Sequence, residues 1–139
     1  IMKIVIDTNV LISALKSKRG ASYKLIMLLP KNLFIPSISA PLFVEYEAVA
    51  KRSGLLNNLE NEEINSILNY ILSKSKIHKI FYLWRPLLKD PKDDLVLEVA
   101  VASQSRYIVT FNIKDFKGCE KFGIEALTPQ EFMTIRGIK

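Results

Sequence analysis

The 139-residue chain carries 20 lysines and arginines against 14 aspartates and glutamates, a formal net charge of +6, and 49% of its residues are hydrophobic. This length and apolar content suit a single domain over residues 1–139 with a sizeable core. One cysteine, Cys119, excludes an internal disulfide framework and fits a reducing cytoplasm. No apolar run reaches the ~18 residues of a membrane span, so we expect no membrane partner. The basic balance favours a polyanion such as nucleic acid.

Short apolar runs alternate along the chain with apolar residues at helical spacing. Runs bounded by turn residues predict strands, and the helical patterns between them predict helices. This alternation predicts an α/β fold with a central, mainly parallel sheet of four to five strands flanked by helices. The predicted strands cover residues 4–6, 33–36, 77–83, 107–110 and 124–127, and the predicted helices cover 10–17, 21–29, 40–52, 61–74, 95–102 and a terminal segment from 129.

Asp7 directly follows the first predicted strand, Ile4-Val5-Ile6. An aspartate at this place is a good helix cap and turn former. A carboxylate at the carboxyl end of a central parallel strand also points into the crevice where open α/β sheets bind ligands. Asp7 alone does not decide between these two interpretations.

Further acids stand at the ends of other elements. Glu45 and Glu47 flank the apolar arc of the third helix, and helix geometry does not say which one faces the interior. Asp90, Asp93 and Asp94 precede a helix that is apolar nearly all round, and three acids are more than capping needs. Asn112 and Asp115 follow the fourth strand, and a parallel sheet would bring them to the same edge as Asp7.

Carboxylates gathered at one edge repel one another unless a cation joins them. Oxygen ligands without Cys or His select hard cations such as Mg²⁺ or Mn²⁺, which promote phosphodiester hydrolysis. The only histidine, His78, has no partner at metal-ligand spacing, and no Gly-rich phosphate loop or Gly-x-Ser-x-Gly turn is present.

Four segments, in order, resemble the motifs of PIN-domain nucleases. The first is Ile6-Asp7-Thr8-Asn9-Val10-Leu11, and the second combines Ser39, Leu42, Glu45-Tyr46 and Val49, which selects Glu45 over Glu47. The third is Asp90-Pro91-Lys92-Asp93-Asp94 with Leu97, Glu98 and Ala100, and the fourth joins Tyr107-Ile108-Val109-Thr110 to Asn112-Ile113-Lys114-Asp115-Phe116. The match extends from residue 2 to about 133.

This resemblance implies a PIN-like three-layer domain and a metal-dependent ribonuclease that hydrolyses single-stranded or loop RNA. Many members of the family are VapC-like toxins of toxin–antitoxin pairs, so the resemblance also implies an antitoxin partner and a homodimer. The apolar stripe of helix 61–74 is a candidate for the surface between the two copies. The alternative is a catalytically weak or silent RNA-binding module on the same fold, since Asn112 stands where many members have Asp.

Carried over by position, Asp7, Glu45 and Asp94 would hold the Mg²⁺ or Mn²⁺. Asp115 would replace the missing charge at Asn112, and Asp93 is the alternative to Asp94. The expected supporting residues are Thr8, Asn9, Thr110 and Glu98; the expected phosphate contacts are Lys16, Lys18, Arg19 and Lys114; and Lys51, Arg52, Lys74 and Lys76 are expected to be solvated helix ends.

Overall fold

A computed structural model describes residues 2–52, 54–56, 58–80, 88 and 90–137. The strands are β1 Lys3–Ile6, β2 Ile35–Ile38, β3 Lys76–Ile77, β4 Tyr107–Val109 and β5 Glu125–Leu127. The helices are α1 Thr8–Lys16, α2 Ala21–Met27, α3 Ala40–Ala50, α4 Asn61–Ser73, α5 Pro91–Ser103 and α6 Pro129–Ile135, with short 3-10 helices at Leu29–Lys31, Ile113–Phe116 and Cys119–Phe122.

The five strands form one parallel sheet in the order β3-β2-β1-β4-β5. This confirms the predicted α/β class and the parallel sheet flanked by helices. The central strand β1 pairs with β2 at Lys3 and Ile4, and with β4 from Ile4 to Ile6. Ile4 and Val5 are fully buried, as expected for a strand covered on both faces.

The second strand begins two residues later than the sequence suggested. Asn32 has a left-handed backbone (φ 56°) where it ends the preceding 3-10 helix, so the chain becomes extended only at Ile35. Pro36 then lies inside β2 without losing a sheet hydrogen bond. The N–H of Ile35 points to β1, where it donates to Met2, so the nitrogen of Pro36 points to the other side, and β3 begins to pair only at Ser37.

Helix α5 is the central helix of the fold and contacts β1, β2 and β4. It begins at Pro91 rather than at residue 95, because the Asp90 side chain accepts the N–H of Lys92 and the proline suits the first helical position. Asp93 and Asp94 therefore lie in its first turn. No helix of the described chain is long and apolar enough to cross a membrane.

One further expectation needs correction. The strand predicted at 77–83 is shorter, since β3 ends at Ile77; the N–H of His78 still donates to Ile38 of β2, residues 79–80 are not strand, and residues 81–83 lie outside the described chain. The apolar stripe of α4 lies partly in the protein's own core. Ile64, Leu68 and Ile71 are buried there, because α4 packs against α3, whereas Ile67 and Leu72 are only partly buried.

A buried tyrosine ties α3 to the end of β1. The hydroxyl of Tyr46 donates to the carbonyl oxygen of Ile6, and Tyr46 is only 4% exposed. Burial, and then the nearby charge of Asp7, raises the pKa of the Tyr46 phenol, which therefore stays protonated and acts as a donor. This bond fixes the helix that carries Glu45 relative to the strand that ends at Asp7.

We expect Tyr46→Phe to lower the free energy of unfolding by about 1–3 kcal/mol, because it leaves the buried carbonyl of Ile6 without this donor. Urea denaturation measures the change. The control is Tyr70→Phe, since Tyr70 is 42% exposed on α4. Equal stability of the two variants would contradict an anchoring role for Tyr46.

Candidate active site

Asp7 lies where β1 becomes α1. Its backbone N–H donates to Val109 (2.9 Å), which keeps it beside the end of β4. One carboxylate oxygen accepts the N–H of Thr8 at 2.8 Å and so caps α1, as the capping interpretation predicted. The other accepts the hydroxyl of Thr110 at 2.8 Å. Asp7 therefore caps a helix and also faces the crevice at the strand ends.

The pKa of Asp7 is raised. Burial is the main cause, since the residue is only 8% exposed, and the negative charges of Glu45 and Asp115 raise it further. The hydrogen bonds from Thr110 and Thr8 act in the opposite direction, because they stabilise the carboxylate.

Thr110 links the two strand ends that form the site. It is fully buried after β4, donates its hydroxyl to Asp7, and accepts the N–H of Asn112 at 3.0 Å. Asn9 adds a second link, because its side-chain oxygen accepts the N–H of Phe111 (3.4 Å). The structure thus gives Thr8, Asn9 and Thr110 hydrogen bonds within or between these two loops.

A cleft of about 640 Å³ opens at this edge of the sheet. The walls come from α1, α3, the start of α5 and the loop after β4, as expected for a crevice at the carboxyl ends of parallel strands. Its acidic and amide side chains are those of Asp7, Asn9, Glu45, Asp90, Asp93, Asn112 and Asp115.

Of the two adjacent aspartates in the first turn of α5, Asp93 lines the cleft and Asp94 does not. Asp94 is 2% exposed, accepts the N–H of Leu88 at 3.0 Å, and does not line the cleft. Because both residues lie in the first turn of α5, their side chains diverge by roughly 100° around the helix axis, and only Asp93 faces Asp7. Glu98 is also buried on α5 away from the cleft lining.

The pKa of Asp93 is raised from 3.8 to about 7. Burial contributes most, and the charges of Asp7, Asp115, Asp90 and Asp94 add to it in that order. Carboxylates from three separate parts of the chain therefore act on one another within this cleft.

The second helix motif contributes Glu45. It lines the cleft, whereas the carboxylate of Glu47 accepts a hydrogen bond from the ammonium of its neighbour Lys51 at 3.1 Å. The sequence alone left the two glutamates open, and the structure places Glu45 beside Asp7.

Three cations line the cleft: Lys16, Arg52 and Lys92. Of the expected phosphate contacts, only Lys16 is among them; Lys18 and Arg19 lie outside the lining, and Lys114 is exposed on the 3-10 helix that carries Asp115. Arg52 was expected to be a solvated helix end. It reaches the cleft because the helical turn continues beyond Ala50, with the N–H of Arg52 bonded to Val49 at 3.2 Å.

The donor set suits a hard divalent cation. It consists of carboxylate and amide oxygens. Burial first, and then repulsion between the carboxylates, raises the pKa values of Asp7 and Asp93. In the described ranges, no three Asp, Glu, His or Cys side chains stand close enough to enclose an ion by themselves.

The raised pKa of Asp93 makes stability depend on pH. The folded chain holds this proton more tightly than the unfolded chain, so the stabilisation is complete below pH ~4 and is lost as the pH rises through about 7. We expect the melting temperature in EDTA to fall across this window, and Asp93→Asn to reduce the fall. Thermal melts at several pH values measure it. Glu47→Gln, outside the cleft, is the control, and an unchanged slope for Asp93→Asn would contradict the assignment.

The comparisons with known proteins agree with this geometry. A solved structure of VapBC2 from Rickettsia felis, bound to a DNA fragment from their promoter, has the same fold: it is 22% identical, with a TM-score of 0.65, and the match covers 91% of this chain and 98% of that one. No curated protein matches the sequence. The family model described as PIN domain matches residues 3–114, which include the acids from Asp7 to Asp94 and Asn112. The chain therefore belongs to the PIN domain family of nucleases.

Proposed function

We propose that the chain is a Mg²⁺- or Mn²⁺-dependent endoribonuclease that hydrolyses single-stranded or loop RNA. The observation that carries this proposal is the convergence of Asp7, Glu45, Asp93 and Asp115 on one cleft at the strand ends. Membership of a nuclease family and the net charge of +6 support a nucleic-acid substrate.

Asp7, Glu45 and Asp93 would hold the ion together with water, and Asp115 and the amide of Asn112 line the same cleft. When bound, such an ion lowers the pKa of a water and stabilises the charge on the leaving oxygen. Mn²⁺ would serve as well, since carboxylate, carbonyl and water ligands suit both metals.

The surrounding residues keep these ligands in place. Thr110 and the N–H of Thr8 hold both oxygens of Asp7, so its carboxylate cannot rotate away from the cleft without breaking a bond. Tyr46 fixes the helix that carries Glu45. Asn112 removes one negative charge relative to an aspartate, and Asp115, one turn further along, supplies a charge on the same loop.

Two adjacent residues offer a matched test of catalysis. Asp93→Asn removes a proposed ligand charge and should reduce cleavage by more than the roughly 10–100-fold that loss of an outer-shell group costs, while the fold is kept. Asp94→Asn should retain most of the activity, because an amide oxygen still accepts the N–H of Leu88. Initial rates on a structured RNA in Mg²⁺ measure both, and the reverse order would reject Asp93 in favour of Asp94.

The products of the same digest identify the nucleophile. Attack by water leaves a 5′-phosphate and a 3′-hydroxyl, whereas attack by the 2′-hydroxyl leaves a 2′,3′-cyclic phosphate. We expect the first pair of ends and no cleavage in EDTA. Full activity in EDTA would reject the metal-dependent reaction. Inactivity with every metal and RNA would favour the silent RNA-binding module, with Asn112 as the first residue to restore to Asp.

Metal binding should also stabilise the fold, because an ion that binds only the folded chain shifts the equilibrium by mass action. We expect Mg²⁺ or Mn²⁺ to raise the melting temperature of the native chain much more than that of Asp7→Asn. Asparagine caps helices as well as aspartate does, so this variant removes the charge and keeps the cap of α1. An equal rise in both proteins would show that Asp7 is not a ligand.

We further propose that the chain is a VapC-like toxin of the cytoplasm, neutralised by an antitoxin protein. The support is the fold shared with the solved structure of VapBC2 bound to a DNA fragment from their promoter, together with membership of the PIN domain family. A neighbouring small gene for a DNA-binding protein, and its co-purification with this chain, would test the pairing.

A homodimer is part of the same proposal. On α4, only the partly buried Ile67 and Leu72 of the apolar stripe are open to such an interface, since Ile64, Leu68 and Ile71 are buried in the core. Sedimentation at micromolar concentration tests the dimer, and a single 15.8 kDa species would reject it.

A further inference from the structure

The cleft continues from its acidic end into a groove between α1 and α3, two helices that contact each other. The groove residues of each helix are three or four positions apart, so they lie on one face. On α1 they are Asn9, Ile12, Ser13 and Lys16; on α3 and its continuation they are Glu45, Val49 and Arg52.

Charge changes along this groove in a fixed order. The carboxylates of Asp7 and Glu45 lie at one end, and Lys16 and Arg52 lie at the other. Each cation is seven residues beyond a polar residue of the acidic end, and a rise of 1.5 Å per residue separates them by ~10 Å. The wall between the two ends, made by Ile12, Ser13 and Val49, carries no formal charge.

These two cations are not used to neutralise the acids. A rise of ~10 Å keeps their backbones about one Debye length along the helices from those of Asn9 and Glu45, so salt partly screens their attraction for the acids. Neither Lys16 nor Arg52 forms an ion pair within the described chain, whereas Lys51, the residue before Arg52, is bonded to Glu47 at 3.1 Å. The groove therefore ends in two cations that are available to an anion.

We propose that this groove binds the substrate strand, with Lys16 and Arg52 holding a second phosphate on one side of the scissile one. The inference rests on the proposed function, because it places the scissile phosphate at the acidic end. A separation of ~10 Å spans roughly three nucleotides of stacked strand and fewer when the strand is extended. The uncharged wall faces the intervening riboses and bases, which carry no charge.

Lys16 and Arg52 are then positioning residues that set which phosphate enters the acidic end. A strand that lacks the second phosphate loses this contact. Since the contact is the same in the ground state and the transition state, its loss should raise KM and leave kcat nearly unchanged.

The test uses a short single-stranded RNA, its binding measured by fluorescence anisotropy in Mg²⁺ over a range of salt. Asp93→Asn is the parent chain, so that the RNA is not consumed. Arg52→Gln and Lys16→Gln are each added to it, and Lys51→Gln is the matched control, since it removes the same charge from the next residue outside the cleft. Both cations are exposed, so these variants should keep the fold.

Each cleft variant should reduce the slope of log affinity against log salt by at most about 0.7, the value for the one phosphate that the two cations share on a single strand. Lys51→Gln should keep the parent slope. Replacing the phosphates one at a time by neutral methylphosphonate should reveal one position that weakens binding by the parent and has a smaller effect on Arg52→Gln and on Lys16→Gln, because each variant keeps one of the two cations.

Parent-like slopes in both cleft variants would overturn the inference, as would methylphosphonate losses that are equal in parent and variants at every position. A protein partner that used these cations instead of RNA would give the first of these results. If the native chain cleaves RNA but both cleft variants keep the parent's salt slope, the proposed groove is rejected and the proposed ribonuclease activity is not. The expected changes in salt slope and methylphosphonate effect, found together with no cleavage in any metal, would reject the ribonuclease. They would leave the groove as an RNA-binding site.

Discussion

Repulsion between carboxylates is the constraint on which the rest of this structure depends. Asp7, Glu45, Asp93 and Asp115 come from four different elements, and the fold brings them to one cleft although, after burial, neighbouring carboxylates raise the pKa values of Asp7 and Asp93. The parallel sheet makes this possible, because it places the ends of β1 and β4 side by side, with the N–H of Asp7 bonded to Val109. Neutral hydrogen bonds from Thr8 and Thr110 then keep Asp7 in position without cancelling its charge.

The sequence predicted well those features that depend on a buried strand and the residue after it. The apolar run before Asp7 and the run before Thr110 fixed the two strand ends, and the parallel arrangement followed from the alternation of elements. In the structure the ends of β1 and β4 lie side by side at the edge of the sheet where the cleft opens. Patterns of this kind succeed because a strand buried on both faces needs an unbroken apolar run, whatever its neighbours are.

The choice between adjacent acids could not be made in this way. Successive helix positions differ by roughly 100°, so placing Asp93 or Asp94 requires the first residue of α5, and the capping bond from Lys92 to Asp90 sets that residue. The place of Arg52 in the cleft was not predicted for a related reason. The extra helical turn beyond Ala50 decides where its side chain lies. The role of Tyr46 depends on a contact 40 residues away along the chain, with Ile6, which local periodicity does not encode.

In this cleft the arrangement that would stabilise the fold differs from the one that metal binding needs. The positions of Lys16 and Arg52 illustrate the difference. Lysines or arginines bonded to the acids would relieve the repulsion, but they would also occupy the ligand oxygens that an ion needs. Lys92 lines the cleft next to Asp93 but forms no ion pair within the described residues. Lys16 and Arg52 instead lie ~10 Å along the groove, where they attract a phosphate and leave the acids free. Lys51, whose charge is one residue away, is bonded to Glu47 on the other face of α3. The acids stay mutually repelled in the ion-free chain, and this unrelieved repulsion favours the binding of a divalent cation.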